Sequence, residues 1–291
     1  MRRLQRLILP ALLLLVIASF ALAQRRPRTR DSAFESDGQV PTAREAVGDA
    51  SDYPKWEYEP RFHKDVFTFV RIEYDVDPEH PGHAGNVRWT IDFPDSDLNF
   101  SFRLQQMTSL KVDPNPIHFR LTDKRLADYP FIYMVEPGRL EFSDPEVEVL
   151  RKYLLNGGFL MVDDFWGERE WGVFYKQIKR VFPDREPIEL NLDHPIFHAV
   201  FDLKEKPQIP NVILGIESQY TGITWERADA KEVHYKGIFD DKNRMMVMIC
   251  HNTDLGDGWE REGDNEYYFH EFSEKKAYPL GINIVFYAMT H

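Results

Sequence analysis

From about Trp56 to the end of the chain, short apolar runs bounded by turn residues alternate with longer amphipathic stretches. The short runs predict strands at Val66–Tyr74, Trp89–Phe93, Ile117–Leu121, Phe131–Val135, Phe159–Val162, Ile188–Leu192, Val233–Phe239 and Met245–Ile249. The third of these admits an extended loop instead. Stretches with helical period predict helices at Leu98–Leu110, Pro145–Leu155, Trp171–Val181 and Tyr278–Met289. Ser143 before Asp144-Pro145-Glu146 reads as an N-cap followed by an early proline and first-turn acids, and Gly157-Gly158 end that helix.

Strands alternating with helices of this length imply parallel crossovers, and so an α/β, mostly parallel, doubly wound sheet. The runs FIYMV and FLMV have no polar alternation, as expected of strands covered on both faces. In such a sheet the ligand crevice lies at the carboxyl ends of the strands.

Upstream of that pattern the chain reads differently. MRRLQR, the apolar run from Leu7 to Ala23 and the small-x-small triplet Ala21-Leu22-Ala23 make a signal peptide over residues 1–23, with cleavage after Ala23; an uncleaved anchor is the alternative. Residues 24–55 are polar and poor in large apolar groups, a disordered linker composition, which leaves one α/β domain over residues 56–291. The product is expected to be exported, in a bacterial periplasm, with no stable membrane insertion after cleavage. Losing Arg2, Arg3 and Arg6 takes the formal net charge from -12 to -15, which disfavours nucleic acid as a partner. Cys250 is the only cysteine, so no intrachain disulfide can form.

Acids stand at the predicted strand exits: the strand Trp89–Phe93 leads into Pro94-Asp95-Ser96-Asp97, and the others lead into Glu136-Pro137-Gly138, Asp163-Asp164 and Cys250-His251-Asn252-Thr253-Asp254. If these strands are parallel neighbours, the tips converge. Each tip also has a structural reading, as a helix cap or a turn. One aspartate of the 163–164 doublet can cap a helix, but the second, beside Phe165 and Trp166, needs a cation, an arginine or a metal. His251-Asn252-Thr253-Asp254 offers imidazole, amide, hydroxyl and carboxylate, a set suited to a divalent cation or to sugar hydroxyls. H-E-x-x-H, C-x-x-C and EF-hand spacings are absent from the sequence. Residues 254–264 lack calcium-loop ligands and read as a mobile acidic flap. Trp166, Trp171 and Trp259 would either stack on a sugar or peptide or serve as core packing. Cys250, flanked by Ile249 and His251, reads as a structural thiol.

The runs FVRIEYD, DFPDSDLNFSFRLQQMTSLKV, YPFIYMVEPGRLEFSD, LRKYLLNGGFLMVDDFWG, LDHPIFHAVFDL, MVMICHNTDLGDGWE and YPLGINIVFYAMTH resemble the bacterial domain of unknown function 4159 family, from about Phe67 to His291. The resemblance implies a flavodoxin-like fold similar to the class I glutamine amidotransferase-like group, which includes trehalose-utilisation-like proteins. In its amidotransferase members a strand following a Gly-rich turn ends in the nucleophilic cysteine. The matching strand here, FLMV, ends in Asp163-Asp164, so thiolate acyl transfer by that route is not available.

Three expectations follow. The first is a ligand- or partner-binding domain, its crevice lined by Asp163, Asp164, Trp166, His251, Asn252 and Asp254, taking a sugar-like ligand or a cell-envelope protein and no organic cofactor. The second is a metal-assisted hydrolase of an envelope glycan or ester, with Asp163, Asp164, His251 and Asp254 holding a divalent cation. The third is a structural envelope scaffold. Arg71 and Arg103 could also neutralise the crevice, which would give its acids a structural task.

Overall fold

The computed structural model describes residues 41–47, 52–62, 65–77 and 87–291. The expected signal peptide and its cleavage after Ala23, together with residues 24–40 and 48–51 of the expected linker, lie outside the described residues.

Seven strands form one sheet: β1 (Val70–Glu73), β3 (Ile117–Arg120), β4 (Phe131–Val135), β6 (Phe159–Asp163), β7 (Ile188–Glu189), β8 (His234–Phe239) and β9 (Met245–His251), in the order β3-β1-β4-β6-β9-β8-β7. Neighbours from β3 through β9 are parallel, with Phe131 opposite Phe159, Val135 opposite Asp163 and Val162 opposite Ile249. β8 runs against both β9 and β7. A separate two-stranded ribbon pairs β2 (Asp75–Val76) with β5 (Leu140–Glu141). The fold is therefore α/β on a mostly parallel, mixed sheet, compatible with double winding.

The longer α-helices among the described residues are α1 (Asp95–Met107), α2 (Asp144–Leu155), α3 (Gly167–Val181), α4 (Val212–Thr221), α5 (Leu255–Glu260) and α6 (Tyr278–Thr290), the last preceded by a π-helical stretch over Phe269–Ala277. The period of two along β4 shows why both sheet faces are covered. Phe131, Tyr133 and Val135 join a core with Phe100 of α1, Trp259 of α5 and Leu280 of α6. Ile132 and Met134 face the other way, into a core with Leu150 of α2 and Phe174 and Ile178 of α3. Each such fully buried large side chain contributes about 1.5–3 kcal/mol. Ser143 stands at the N-cap of α2 as expected, and Glu146 completes a capping box there, Ser143 N donating to Glu146 Oε2 at 2.9 Å.

Four expectations are corrected. Trp89–Phe93 is no strand but a 3-10 turn over Arg88–Thr90 followed by tight turns, because the carbonyls of Trp89 and Ile91 accept from Arg71 rather than from a neighbouring strand. Residues 254–264 are no flap in their first half: Leu255–Glu260 is a helix with Leu255 and Trp259 fully buried. Val212–Thr221 is an unforeseen helix, started by Asn211, whose side chain accepts from Leu214 N at 3.1 Å. Within the expected linker, the single turn Ala43–Ala46 is ordered on the domain: Thr42 and Glu45 box its start, Ala43 N donates to Pro116 O at 2.7 Å and Ala43 is buried.

Candidate functional site

Four residues at the carboxyl side of the sheet have left-handed backbones: Asp92 (φ 60), Glu136 (φ 48), Asp164 (φ 55) and Asn252 (φ 62). The only other non-glycine with positive φ among the described residues is Asn243, in the β8–β9 turn. Glu136, Asp164 and Asn252 directly follow β4, β6 and β9. Side chains pay about 1 kcal/mol or more for this conformation, and it concentrates where a strand end must present a group. At Asp164 it makes a sharp strand-to-helix turn into Gly167, the geometry that exposes a nucleophile in unrelated enzymes.

The turns at Asp92, Glu136 and Asp164 open onto a cavity of about 410 Å³. Its lining carries seven carboxylates and four guanidiniums. At its floor one oxygen each of Asp92, Asp164 and Asp254 lie within 4.8 Å of one another, all three residues buried. Asp92 Oδ2 is buried and has no hydrogen-bond partner. Asp164 Oδ1 accepts from Trp166 Nε1 at 3.1 Å, and Asp254 Oδ1 accepts from Asp257 N at 2.7 Å at the start of α5. Burial pushes all three carboxyls well up, and neighbouring carboxylates push further: Asp257 and Glu260 on Asp92, Glu136 and Asp92 on Asp164, Asp164 and Asp257 on Asp254. Glu136, paired with Arg88 across the same cavity, is pushed up by burial to about 7.

Arg71 sets Asp92 in place. Its guanidinium is fully buried and grips Asp97 of α1 through Nε (3.0 and 3.2 Å) and Nη2 (2.5 Å). The other bonds go to Trp89 O, Ile91 O and Ser96 Oγ. The backbone leading into Asp92 is thereby tied, through one guanidinium, to the Ser96 and Asp97 side chains that follow it. Arg103 instead pairs with Glu262, outside the cavity lining.

The expected lining residues divide. Asp164, Trp166 and Asp254 line the cavity; Asp163, His251 and Asn252 do not. Asp163 is buried beneath it, where Oδ2 accepts from Tyr133 Oη (3.1 Å), Leu255 N (2.9 Å) and Gly256 N (3.1 Å), tying β6 to the start of α5. His251 points away: its Nε2 meets Gly167 O at 3.2 Å and its ring lies among Phe165, Trp171 and His234. Burial lowers its pKa to about 4, so it is neutral. Asn252 clamps loops, accepting from Gly167 N (2.8 Å) and donating to Glu232 O (2.7 Å). The expected cation set Asp163, Asp164, His251 and Asp254 therefore does not converge, and Asp92 takes the place of the first and third. Trp259 is core, against Phe100, and Trp166 is buried with its indole spent on Asp164. Cys250 is fully buried and burial raises its thiol, as suits a structural role.

Asp92 is the residue sequence reasoning missed, since it sat inside an apparent strand. The signal was the Phe93-Pro94 dipeptide, which favours a turn over a central strand.

The family model described as Domain of unknown function (DUF4159) matches residues 68–289, nearly the whole of the described α/β domain, and the chain belongs to that family. No curated protein matches it.

Proposed function

We propose that this is an exported domain whose crevice binds a hard divalent cation through Asp92, Asp164 and Asp254 and, with that ion, the oxygens of a sugar-like, hydroxyl-rich ligand of the cell envelope. The observation that carries the reading is the convergence of the three carboxylates within 4.8 Å. Two oxygens on opposite sides of one calcium ion stand about 5 Å apart, so a single ion can reach all three. Buried carboxylates this close must take up protons or a counter-ion, and Asp92 Oδ2 has no partner in the protein. An all-oxygen donor set favours magnesium, calcium or manganese over zinc or copper. A cavity of about 410 Å³ leaves room for a small ligand above the ion.

The apolar run behind MRRLQR, ending in Ala21-Leu22-Ala23, supports export. Sequencing the amino terminus of the exported protein should return Gln24. The strained turn at Asp164, where the amidotransferase-like group holds its cysteine, supports kinship with that fold while removing its acyl-transfer chemistry.

Thermal melting of the mature protein with magnesium, calcium and manganese, and then with simple sugars, tests the reading. It predicts a cation-dependent rise in Tm that Asp164→Asn abolishes. No response to any cation at millimolar concentration would overturn it and favour a structural scaffold.

Glu136 favours a second reading, metal-assisted hydrolysis of a glycan or ester. It faces the same cavity with a carboxyl pushed up to about 7, which would suit a general base there, while Asp92, Asp164 and Asp254 would hold the cation, whose contribution would be Lewis acidity. Cation-dependent hydrolysis lost in Glu136→Gln, with cation binding kept, would support this reading over simple binding.

A further inference from the structure

The carboxylates at and just behind the crevice floor form two groups rather than one; Asp257 lines the cavity and Glu260 stands behind the lining. Asp92, Asp164 and Asp254 make the first; Asp92, Asp257 and Glu260 make a second, again with one oxygen from each within 4.8 Å of the others. Asp92 belongs to both. Asp257 and Glu260 lie one helical turn apart on α5, so the second group is built by the helix that follows β9.

We propose that the crevice holds two divalent cations side by side, with the Asp92 carboxylate bridging them. The inference rests on the one-cation reading above and extends it. A carboxylate shared between two ligand sets is the usual bridge of paired-metal sites, in which the ions stand about 3.5–4 Å apart. Asp92 suits that task. It is more than nine-tenths buried, its Oδ2 has no hydrogen-bond partner, and Arg71 holds the Trp89 and Ile91 carbonyls before it and the Ser96 and Asp97 side chains after it. Its side chain lies directly over Gly256, where an added Cβ would come within 2.2 Å of Oδ2, so the carboxylate is seated against the start of α5 rather than turned to solvent.

The two positions differ in competition. The first faces Asp164 and Asp254, whose carboxylates accept from Trp166 Nε1 and Asp257 N. The second faces Arg261, which pairs with Glu260 at 2.8 Å and approaches Asp257 at 3.5 Å, while Asp257 Oδ2 accepts from Val212 N at 2.6 Å. An ion in the second position displaces Arg261, so it binds more weakly. The arginine side chain is 39% exposed and free to swing out when an ion enters.

Manganese titration of the full mature chain, followed by calorimetry and electron paramagnetic resonance, tests this. The expected result is two ions per chain, the second weaker, with a spin-coupled spectrum at saturation. Glu260→Gln should leave one uncoupled ion with unchanged affinity. Arg261→Gln should tighten the second ion, because it removes the guanidinium that competes for Glu260 and Asp257. Asp92→Asn, nearly isosteric, should remove the coupling and weaken both ions while the melting curve stays cooperative. One ion per chain, unaffected by Glu260→Gln and Arg261→Gln, would overturn the pair and leave the one-cation reading intact. No bound manganese would sink both.

Discussion

Arg71 of β1 and Asp97 of α1 form a fully buried, two-pronged ion pair, and the arginine's Nη1 holds the carbonyls of Trp89 and Ile91, which lead into Asp92. Burial alone would lower the pKa of Arg71; the charge and hydrogen bonds of Asp97 raise it on balance. Leaving one charge of such a pair alone costs about 3–5 kcal/mol. Arg71→Met or Asp97→Asn should therefore lower the urea midpoint strongly. Arg71→Lys keeps the charge but cannot reach both carbonyls and the carboxylate, so it should keep more of the stability and still weaken cation binding.

The doublet at 163–164 should split in experiment. Asp163 serves the start of α5 from below the crevice, whereas Asp164 faces the cavity. Asp163→Ala leaves the donors of Tyr133, Leu255 and Gly256 without this acceptor and should cost about 1–3 kcal/mol in urea unfolding while cation stoichiometry stays the same. Asp164→Asn removes a buried repulsive charge and should stabilise the cation-free protein while weakening cation binding. The reverse pattern would contradict the assignment.

Gly256 is required for space. A Cβ there would meet Asp92 Oδ2 at 2.2 Å and Tyr133 Oη at 3.2 Å. Gly256→Ala should cost about 1–3 kcal/mol by overpacking and weaken the cation response by displacing Asp92. An unshifted thermal response to calcium would show that Asp92 is not a ligand.

The pH dependence has a definite sign. Burial pushes the Asp163 carboxyl up to about 7, against about 3.9 in an unfolded chain; Glu136 and Glu260 are likewise pushed by burial to about 7. Between those limits the folded protein keeps protons that the unfolded chain has released. Stability of the cation-free protein should thus fall as pH rises from about 4 to about 7, by up to about 1.4 kcal/mol per pH unit for each group. Urea midpoints at pH 5 and pH 8 check this. A midpoint that is equal or higher at pH 8 without cation would contradict it.

Much of the sheet was legible because its central strands are buried on both faces and so read as unbroken apolar runs, FIYMV and FLMV. The edge was harder: only Ile188–Glu189 of the expected Ile188–Leu192 is strand, and both residues are exposed. Trp89–Phe93 alternates as a strand does, yet its carbonyls are claimed by Arg71, a contact 18 to 20 residues away that no local pattern carries. The same contact hid Asp92. Asp164 and Asp254 were visible because they stand just beyond strand ends; that Asp163 and His251 turn away from the crevice was set by α5 and by the packing of Trp171, which periodicity does not reveal.

The most direct test of the central claim is calorimetric titration of calcium into the mature protein at pH 7, run in two buffers of different ionisation heat. Saturable binding with release of protons from the protein, lost in Asp254→Asn and retained in His251→Phe, is the predicted result. Absence of binding at millimolar calcium, magnesium and manganese alike, or binding that survives loss of both Asp164 and Asp254, would contradict it.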